Sequence, residues 1–545
     1  MNRRSQMIKR ISKSATLIGF VLILILGTAL LGGCAKEEAI TPPSTTTPAS
    51  TLTEAPAKEI PQELTAGLGR DPGKQYGYGA HPSLTGVYEQ LVWLDYELKP
   101  QPKLATCWEV SDDGKVWTFY LRKGVKFHDG TPFNAEMAKL NFERINAQKP
   151  GQLGPLESIG VVDEYTIRFI HSEPFAPFLH QLTWPFMSMI SPNAVDEEGK
   201  VKEPIGTGPF KVTEYVPGEK LVLVRNEDYW GGLPKLEKIT LRCIPDPTSR
   251  ALALETGEID LIIDTGGILP EHAAILDAHP EIEVLTRLIA TSHYLILNCQ
   301  RPPFNEVKAR QAVQYAIDQE TIVKAIVRGF GIPGKSVITP ALSEWVDPEI
   351  GVKYDPEKAR QLLSEAGWVD ADGDGILDRD GQPFKVRLLL HSGLVGRWPY
   401  KAIGEVIQDE LKSIGIKVEL QVLAGGAWSK ALKQGEFEMS MHPYTPLGPH
   451  FMLYDWFNSR GDMNLRRGVH YANPRVDELT ELGKVTMDEK ERYQIYREVQ
   501  QIIAEEVPII PIYHEVMINA RRLNVEGYKP HPWFWVNWEE ISVSE

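Results

Sequence analysis

Apolar and polar positions alternate in two different periods along most of this chain. Trp117, Phe119 and Leu121 fall on every second residue, the pattern of a half-buried strand, with turn residues Lys123-Gly124 and Asp129-Gly130 after them. Asn134 then stands where a helix cap belongs, ahead of Met137, Leu140 and Arg144. Asp355-Pro356 opens a clearer helix whose stripe is Ala359, Leu362, Leu363 and Ala366, stopped by Gly367. Ile403, Val406, Ile407 and Leu411 make another stripe, ended by Gly415, and Ile416, Val418, Leu420 and Val422 alternate as a strand. Strands and helices mixed in this way predict a mixed α/β fold. Three turn-rich patches are candidate lobe boundaries: Pro204–Pro209, the region around Ala290–His293, and the stretch after Tyr513.

One segment has neither period. No charge occurs from Ala15 to Leu31, and Arg3, Arg4, Lys9, Arg10 and Lys13 precede it. A basic start, a short apolar stretch and small residues before a cleavage point predict a secretory signal over 1–33 and not a spanning helix. Leu31-Gly32-Gly33-Cys34 resembles a bacterial lipobox, which makes Cys34 the acylated N-terminus of the mature protein. Residues 34–58 are rich in Thr, Pro, Ala, Ser and Glu, too poor in apolar surface to fold, and read as a solvated tether. Everything after Cys34 is then expected outside the cytoplasm, lipid-anchored to the cell membrane.

Removing the signal takes five positive charges and no negative one, so the net charge falls from -15 to -20. An acidic surface argues against nucleic acid as a partner. The remaining ~490 residues suffice for two or three lobes. Cys107, Cys243 and Cys299 form no CxxC pair and no metal spacing, and are expected as buried structural cysteines.

Four sequence blocks carry a resemblance. The first runs from Val87-Tyr88-Glu89 through Trp108-Glu109-Val110 and Trp117-Thr118-Phe119 to Val125-Lys126-Phe127-His128-Asp129-Gly130-Thr131-Pro132-Phe133. The second is Ile205-Gly206-Thr207-Gly208-Pro209-Phe210 with Asn226-Glu227-Asp228-Tyr229-Trp230-Gly231. The third spans Pro245-Asp246-Pro247-Thr248 and Ala253-Leu254-Glu255-Thr256-Gly257-Glu258-Ile259-Asp260. The fourth joins Leu297-Asn298, Pro303-Phe304-Asn305, Arg310-Gln311-Ala312 and Tyr315-Ala316-Ile317-Asp318. In order and extent they resemble the family 5 solute-binding proteins of ABC importers, the group of dipeptide-, oligopeptide- and nickel-binding proteins.

The resemblance implies a two-lobed, periplasmic-binding-protein-like fold of class II, with an extra domain and a hinge. Mapped onto this chain, lobe I takes 59–82, 205–290 and 518–545, the extra domain 83–204 and lobe II 291–517. It implies a monomeric, non-enzymatic protein that captures solute in the cleft and delivers it to a membrane permease driven by an ATPase. Peptide is the leading ligand class. A nickel or other metal chelate, or another small solute, is the alternative, and a ligand-sensing lipoprotein without transport is the alternative of a different class. No G-x-S-x-G, H-E-x-x-H or Gly-rich phosphate loop occurs. His128-Asp129 reads as part of a packed hairpin and not as a catalytic pair.

Peptide binders of the family hold the ligand's ammonium with an aspartate in a loop that corresponds to Met441–His450, where this chain has no carboxylate. The nickel subgroup uses an arginine before a Pro-Phe; here Trp184 precedes Pro185-Phe186, and Gln148-Lys149-Pro150-Gly151-Gln152 replaces a second cluster. The residues left for a ligand are aromatic or imidazole: Tyr76, Tyr78, His81, Trp184, Trp398, Trp428, His442, Tyr444 and His450. Aromatic walls bind by area and stacking. His81, His442 and His450 are the set to test for metal. Asp370, Asp372, Asp374 and Asp378, with Gly375, match the first half of a calcium loop for a structural Ca2+, although Gly381 stands where the bidentate glutamate belongs. No other cofactor is expected.

Overall fold

The computed structural model describes residues 60–545 except 75, 76 and 352. The expected signal, Cys34, the tether and Tyr76 lie outside the described residues. Among the described residues no helix is long and apolar enough to cross a membrane.

Eleven strands make one continuous sheet that runs through both lobes. At its centre two long strands, Ile282–Leu297 and Ile509–Arg522, pair antiparallel. On one side Glu63–Leu68 pairs parallel with Lys238–Cys243 and with Leu261–Ile262, which joins Ile509–Arg522. On the other side Met439–Tyr444 pairs with Ile282–Leu297, and Lys385–His391 lies parallel between Met439–Tyr444 and Lys417–Leu423. The two long strands are therefore the connection between the lobes. Their register shifts between Leu288 and Ser292, and a bulge of this kind bends a strand without ending it. The turns expected at Ala290–His293 and after Tyr513 are corrected here. Both segments are strand and mostly buried, and the chain bends there through the bulge. Pro204–Pro209 is irregular, as expected.

A second, four-stranded antiparallel sheet holds Ala105–Val110, Val116–Leu121, Thr166–His171 and Leu156–Asp163 in that order. Trp117, Phe119 and Leu121 point into its core, where Phe119 meets Phe169 and Phe178 edge-on. Helix Ala135–Gln148 covers it, capped by Asn134, whose Oδ1 accepts from the Met137 N–H. Helices Pro356–Glu365 and Tyr400–Ser413 form where their stripes predict. Asp355 caps the first, and Gly367 and Gly415 follow with φ of 82° and 85°.

Burial separates two cores. One gathers Leu64, Leu241, Phe119, Phe169 and Trp538; the other gathers Tyr294, Leu389, Trp456 and Tyr496. Trp184 packs against both. Cys243 and Cys299 are free thiols and only half-buried, so the expectation of fully buried cysteines is corrected for these two.

Candidate functional site

In each lobe the parallel strands end on the same side, and the segments leaving those ends carry the polar chemistry. Strand Glu63–Leu68 leads to Arg70, and Leu261–Ile262 leads to Asp264. In the other lobe Lys385–His391 leads through a helical turn to Arg397, and Met439–Tyr444 ends at Tyr444. Arg397 touches the Asp264 segment, so the two carboxyl edges face each other. That crevice is where open parallel sheets bind ligands.

A charged cluster closes one end of the crevice. Arg70 grips Asp264 with two hydrogen bonds of 2.6 and 2.8 Å. From the opposite lobe Arg397 reaches Asp264 at 3.2 Å and donates to the Thr265 carbonyl at 2.9 and 2.7 Å, with a further bond to the Thr265 hydroxyl. Burial raises the Asp264 carboxyl, but Arg70 and Arg397 outweigh it and hold the group below its usual range. Asp264 has φ 83°, a cost for a non-glycine residue that surrounding contacts must offset. Arg250, buried beneath, supports the loop by donating to the carbonyls of Gly267, Gly266 and Ile244. His81 lies in the same region. Burial and then Arg70 hold its imidazole well below the ordinary value, so it is neutral at pH 7.

Trp398 follows Arg397 and packs beneath its guanidinium at 4.6 Å. Its indole N–H donates to Glu515, which also meets His293, and His293 reaches the Tyr400 hydroxyl at 2.7 Å. His293 and Glu515 stand on the two long central strands, so this network ties the hinge to the crevice.

Lobe II supplies an aromatic wall. Trp428 is 2% exposed and its N–H donates to Ser440 at 3.0 Å. His442 stacks on it at 5.6 Å and 12°, His391 meets it edge-on, and Arg467 lies 5.2 Å over its ring. Burial, then Arg467, pushes the His442 imidazole down; burial lowers the Arg467 guanidinium to about 10. Tyr444 meets Trp456 edge-on at 5.4 Å, and its hydroxyl donates to Asp455 at 3.0 Å. Trp184, packed on Phe186 at 4.3 Å, comes from the extra domain against this core.

The expected residues thus fall into separate groups. Trp428, His442, Tyr444 and Trp184 share the lobe II wall. Trp398 and His81 border the Asp264 cluster. Tyr78 is buried, with its hydroxyl donating to the Phe186 carbonyl at 2.8 Å. His450 is buried on Tyr496 at 2.8 Å. The three histidines proposed as a metal set do not converge; among the described residues the only group able to share an ion is Asp370, Asp372 and Asp374. That group is exposed, and its carboxylates accept backbone N–H groups of Gly373, Gly375, Asp374 and Ile376. Asp378 is corrected out of it: it begins the short strand Asp378–Arg379, whose backbone pairs with Val369 and Pro383. His128 and Asp129 have separate partners, Gly208 and Ser191, and burial lowers His128 to about 4.

Sequence reading missed Arg70, Asp264, Arg397, Asp455 and Arg467. A signal existed for one of them. Asp264-Thr265-Gly266-Gly267 follows an apolar run directly, the mark of a turn at a strand's carboxyl end.

Residues 99–464 match the family described as bacterial extracellular solute-binding proteins, family 5 Middle. The chain is 32% identical over 455 residues to the nickel-binding periplasmic protein of Escherichia coli (strain K12), covering 80% of this chain and 85% of that one. It is 30% identical over 474 residues to di/tripeptide-binding protein 2 of Pseudomonas aeruginosa (strain UCBPP-PA14), covering 79% and 84%. The crystal structure of NikA from Brucella suis in complex with Fe(III)-EDTA superposes with a TM-score of 0.78 at 27% identity, over 88% of this chain and 100% of that one. A two-lobed sheet with facing carboxyl edges and a family match across most of the folded chain have one reading: this protein belongs to the family 5 bacterial extracellular solute-binding proteins.

Proposed function

We propose that this chain is the extracytoplasmic solute-binding component of an ABC importer. It takes a peptide between its lobes, hands it to a membrane permease, and works as a monomer held to the membrane by lipid on Cys34. The carrying observation is the lobe II wall. It offers half-buried aromatic area from Tyr444 and Trp184, backed by the enclosed rings of Trp428 and Trp456, beside groups of both polarities, Asp455 and Arg467. A short peptide presents matching chemistry: apolar side chains, an ammonium and a carboxylate.

The di/tripeptide-binding relative supports this reading. The nickel-binding relative favours a second one, a metal chelate. A chelate would have to bring ligands of its own, because His81, His442 and His450 form no shared metal set among the described residues. Closure works because ligand stabilises the closed state over the open one. The deciding experiment is mass spectrometry of whatever small molecules stay bound through purification from the native membrane. Peptides support the first reading, and a metal complex replaces it with the second.

A further inference from the structure

Two helices of lobe II bring a turn against the extra domain. Strand Ile509–Arg522 starts opposite Ile296, next to the Leu297–Met439 pair and so at the end of lobe II away from the crevice. The 18-residue helix Glu489–Glu506 leads into it, and at 1.5 Å per residue its first turn lies about 27 Å back toward the crevice. Helix Pro474–Val485 ends beside that first turn. The connection between the two helices is fixed from its own lobe. Asp488 accepts from the Glu491 N–H at 2.8 Å, and Arg492 donates to the carbonyls of Thr486 and Met487 at 2.8 and 3.2 Å.

This turn and the extra domain fit each other at three points. The Ala176 N–H donates to the Lys484 carbonyl at 2.9 Å. The Lys484 ammonium meets Glu173 at 3.0 Å. Met487 lies over Gly114, in the turn between strands Ala105–Val110 and Val116–Leu121, so closely that a Cβ on Gly114 would be 2.7 Å from Met487 Cγ. Pro174 borders the same notch, with its Cβ 3.1 Å from that position. Gly114 has φ 69°, a conformation glycine adopts freely, and no side chain to fill the notch. Met487 packs against the core that holds Phe119 and Phe169, while Trp184 of the extra domain packs against the core of lobe II, so the contact is reciprocal.

Glu173, Ala176, Lys484 and Met487 are all half-buried. Separation would return the polar groups to water at little cost and expose one methionine. A contact of this make-up can open and re-form, as a sealed core cannot. We infer that the extra domain is a latch: Gly114 and the Glu173–Ala176 segment receive the Lys484–Met487 turn when lobe II closes, and the closed form depends on that seat. Met487, unbranched and flexible, is the side chain that fills it. The latch shares no residue with the Asp264 cluster and acts whatever solute lies in the crevice, so it goes beyond the ligand reading above.

Zero-length carbodiimide coupling tests this on the purified, exhaustively dialysed full chain. The reagent joins a carboxylate to an amine where the two touch. Lys484 has a carboxylate on either side, Glu173 across the seam and Glu481 at 2.6 Å on its own helix. Mass spectrometry of the digest gives the ratio of the two products, the second being the internal control, and small-angle scattering gives the radius of gyration. The wild type should yield the Glu173–Lys484 product. Met487→Asp should lower its ratio to Glu481–Lys484 by about threefold or more, because the ratio follows the closed population, and should enlarge the radius of gyration. Met487→Leu, which refills the notch, should do neither. Absence of the Glu173–Lys484 product from wild type in which Glu481–Lys484 forms overturns the inference. So does a wild-type ratio, or wild-type dimensions, in folded Met487→Asp. If Met487→Asp fails to fold, Met487→Ala, which only empties the notch, decides by the same two readings.

Discussion

At the scale of single residues, burial separates side chains that hold the fold from those free to meet a ligand. Trp428 belongs to the first kind. It is enclosed by His442, His391 and Arg467 and bonded to Ser440, so Trp428→Ala should cost about 3–5 kcal/mol of stability, the scale of a large-to-small change in a core. Thermal melting reads this directly. Trp184 is half-buried between two cores that belong to different parts of the molecule. Trp184→Ala should lower stability by less than half as much as Trp428→Ala, and should weaken ligand binding by about 1–3 kcal/mol. A larger loss of stability than at Trp428 would make Trp184 core. The acidic turn gives a second test. Asp370 accepts two backbone N–H bonds, from Gly373 and Gly375. Asp370→Ala should therefore cost about 1 kcal/mol whether calcium is present or not. A wild-type melting temperature that rises with calcium, and a variant that does not follow, would place an ion in the turn.

At the scale of elements, what the sequence made legible was local. Alternation announced strand Val116–Leu121, and caps announced the helices at Ala135 and Pro356, because those signals depend on residues within one or two turns. The hinge was not legible. Strands buried on both faces lose their alternation, so Ile282–Leu297 and Ile509–Arg522 read as interrupted where they are continuous and bulged. The site was half legible for the same reason. Aromatic residues after Met439 stand out by type, whereas Asp264 and Arg397 acquire meaning only because strands far apart in sequence end opposite each other. The Asp264–Gly267 turn has a testable requirement. Gly266 has φ 62°, and a Cβ there would lie 2.6 Å from Arg397 Cγ and 2.9 Å from the Arg397 carbonyl oxygen. Gly266→Ala thus meets backbone strain and a clash with the opposite lobe. It should lower the melting temperature and expand the molecule in small-angle scattering. A compact, equally stable variant would show that the turn tolerates the methyl group by moving away from Arg397.

At the scale of the whole molecule, the question is what holds the lobes against each other. Arg397 is the clearest contributor, since one side chain joins the Asp264 carboxylate, the Thr265 carbonyl and the Thr265 hydroxyl across the crevice. Arg70 holds the same carboxylate from its own lobe. Loss of Arg397 removes the cross-lobe bonds but leaves Asp264 paired with Arg70, so lobe I need not unfold. Arg397→Ala should therefore shift the free protein toward an open form, seen as a larger radius of gyration. Saturating ligand should restore the compact form at the cost of affinity, because ligand must then supply the closing free energy alone. Acid should do the same to the wild type. Asp264 ionises below the usual carboxylate range in the closed form because Arg70 and Arg397 outweigh its burial. A depressed folded value means the stabilisation is present above the ordinary carboxylate pKa and disappears as pH falls through the depressed one. Scattering on ligand-free protein should stay compact at neutral pH and expand under acid conditions, with Asp264→Asn already expanded at pH 7. Wild-type dimensions in both Arg397→Ala and Asp264→Asn at pH 7 would show that packing at Trp184, and not this charge cluster, holds the lobes closed.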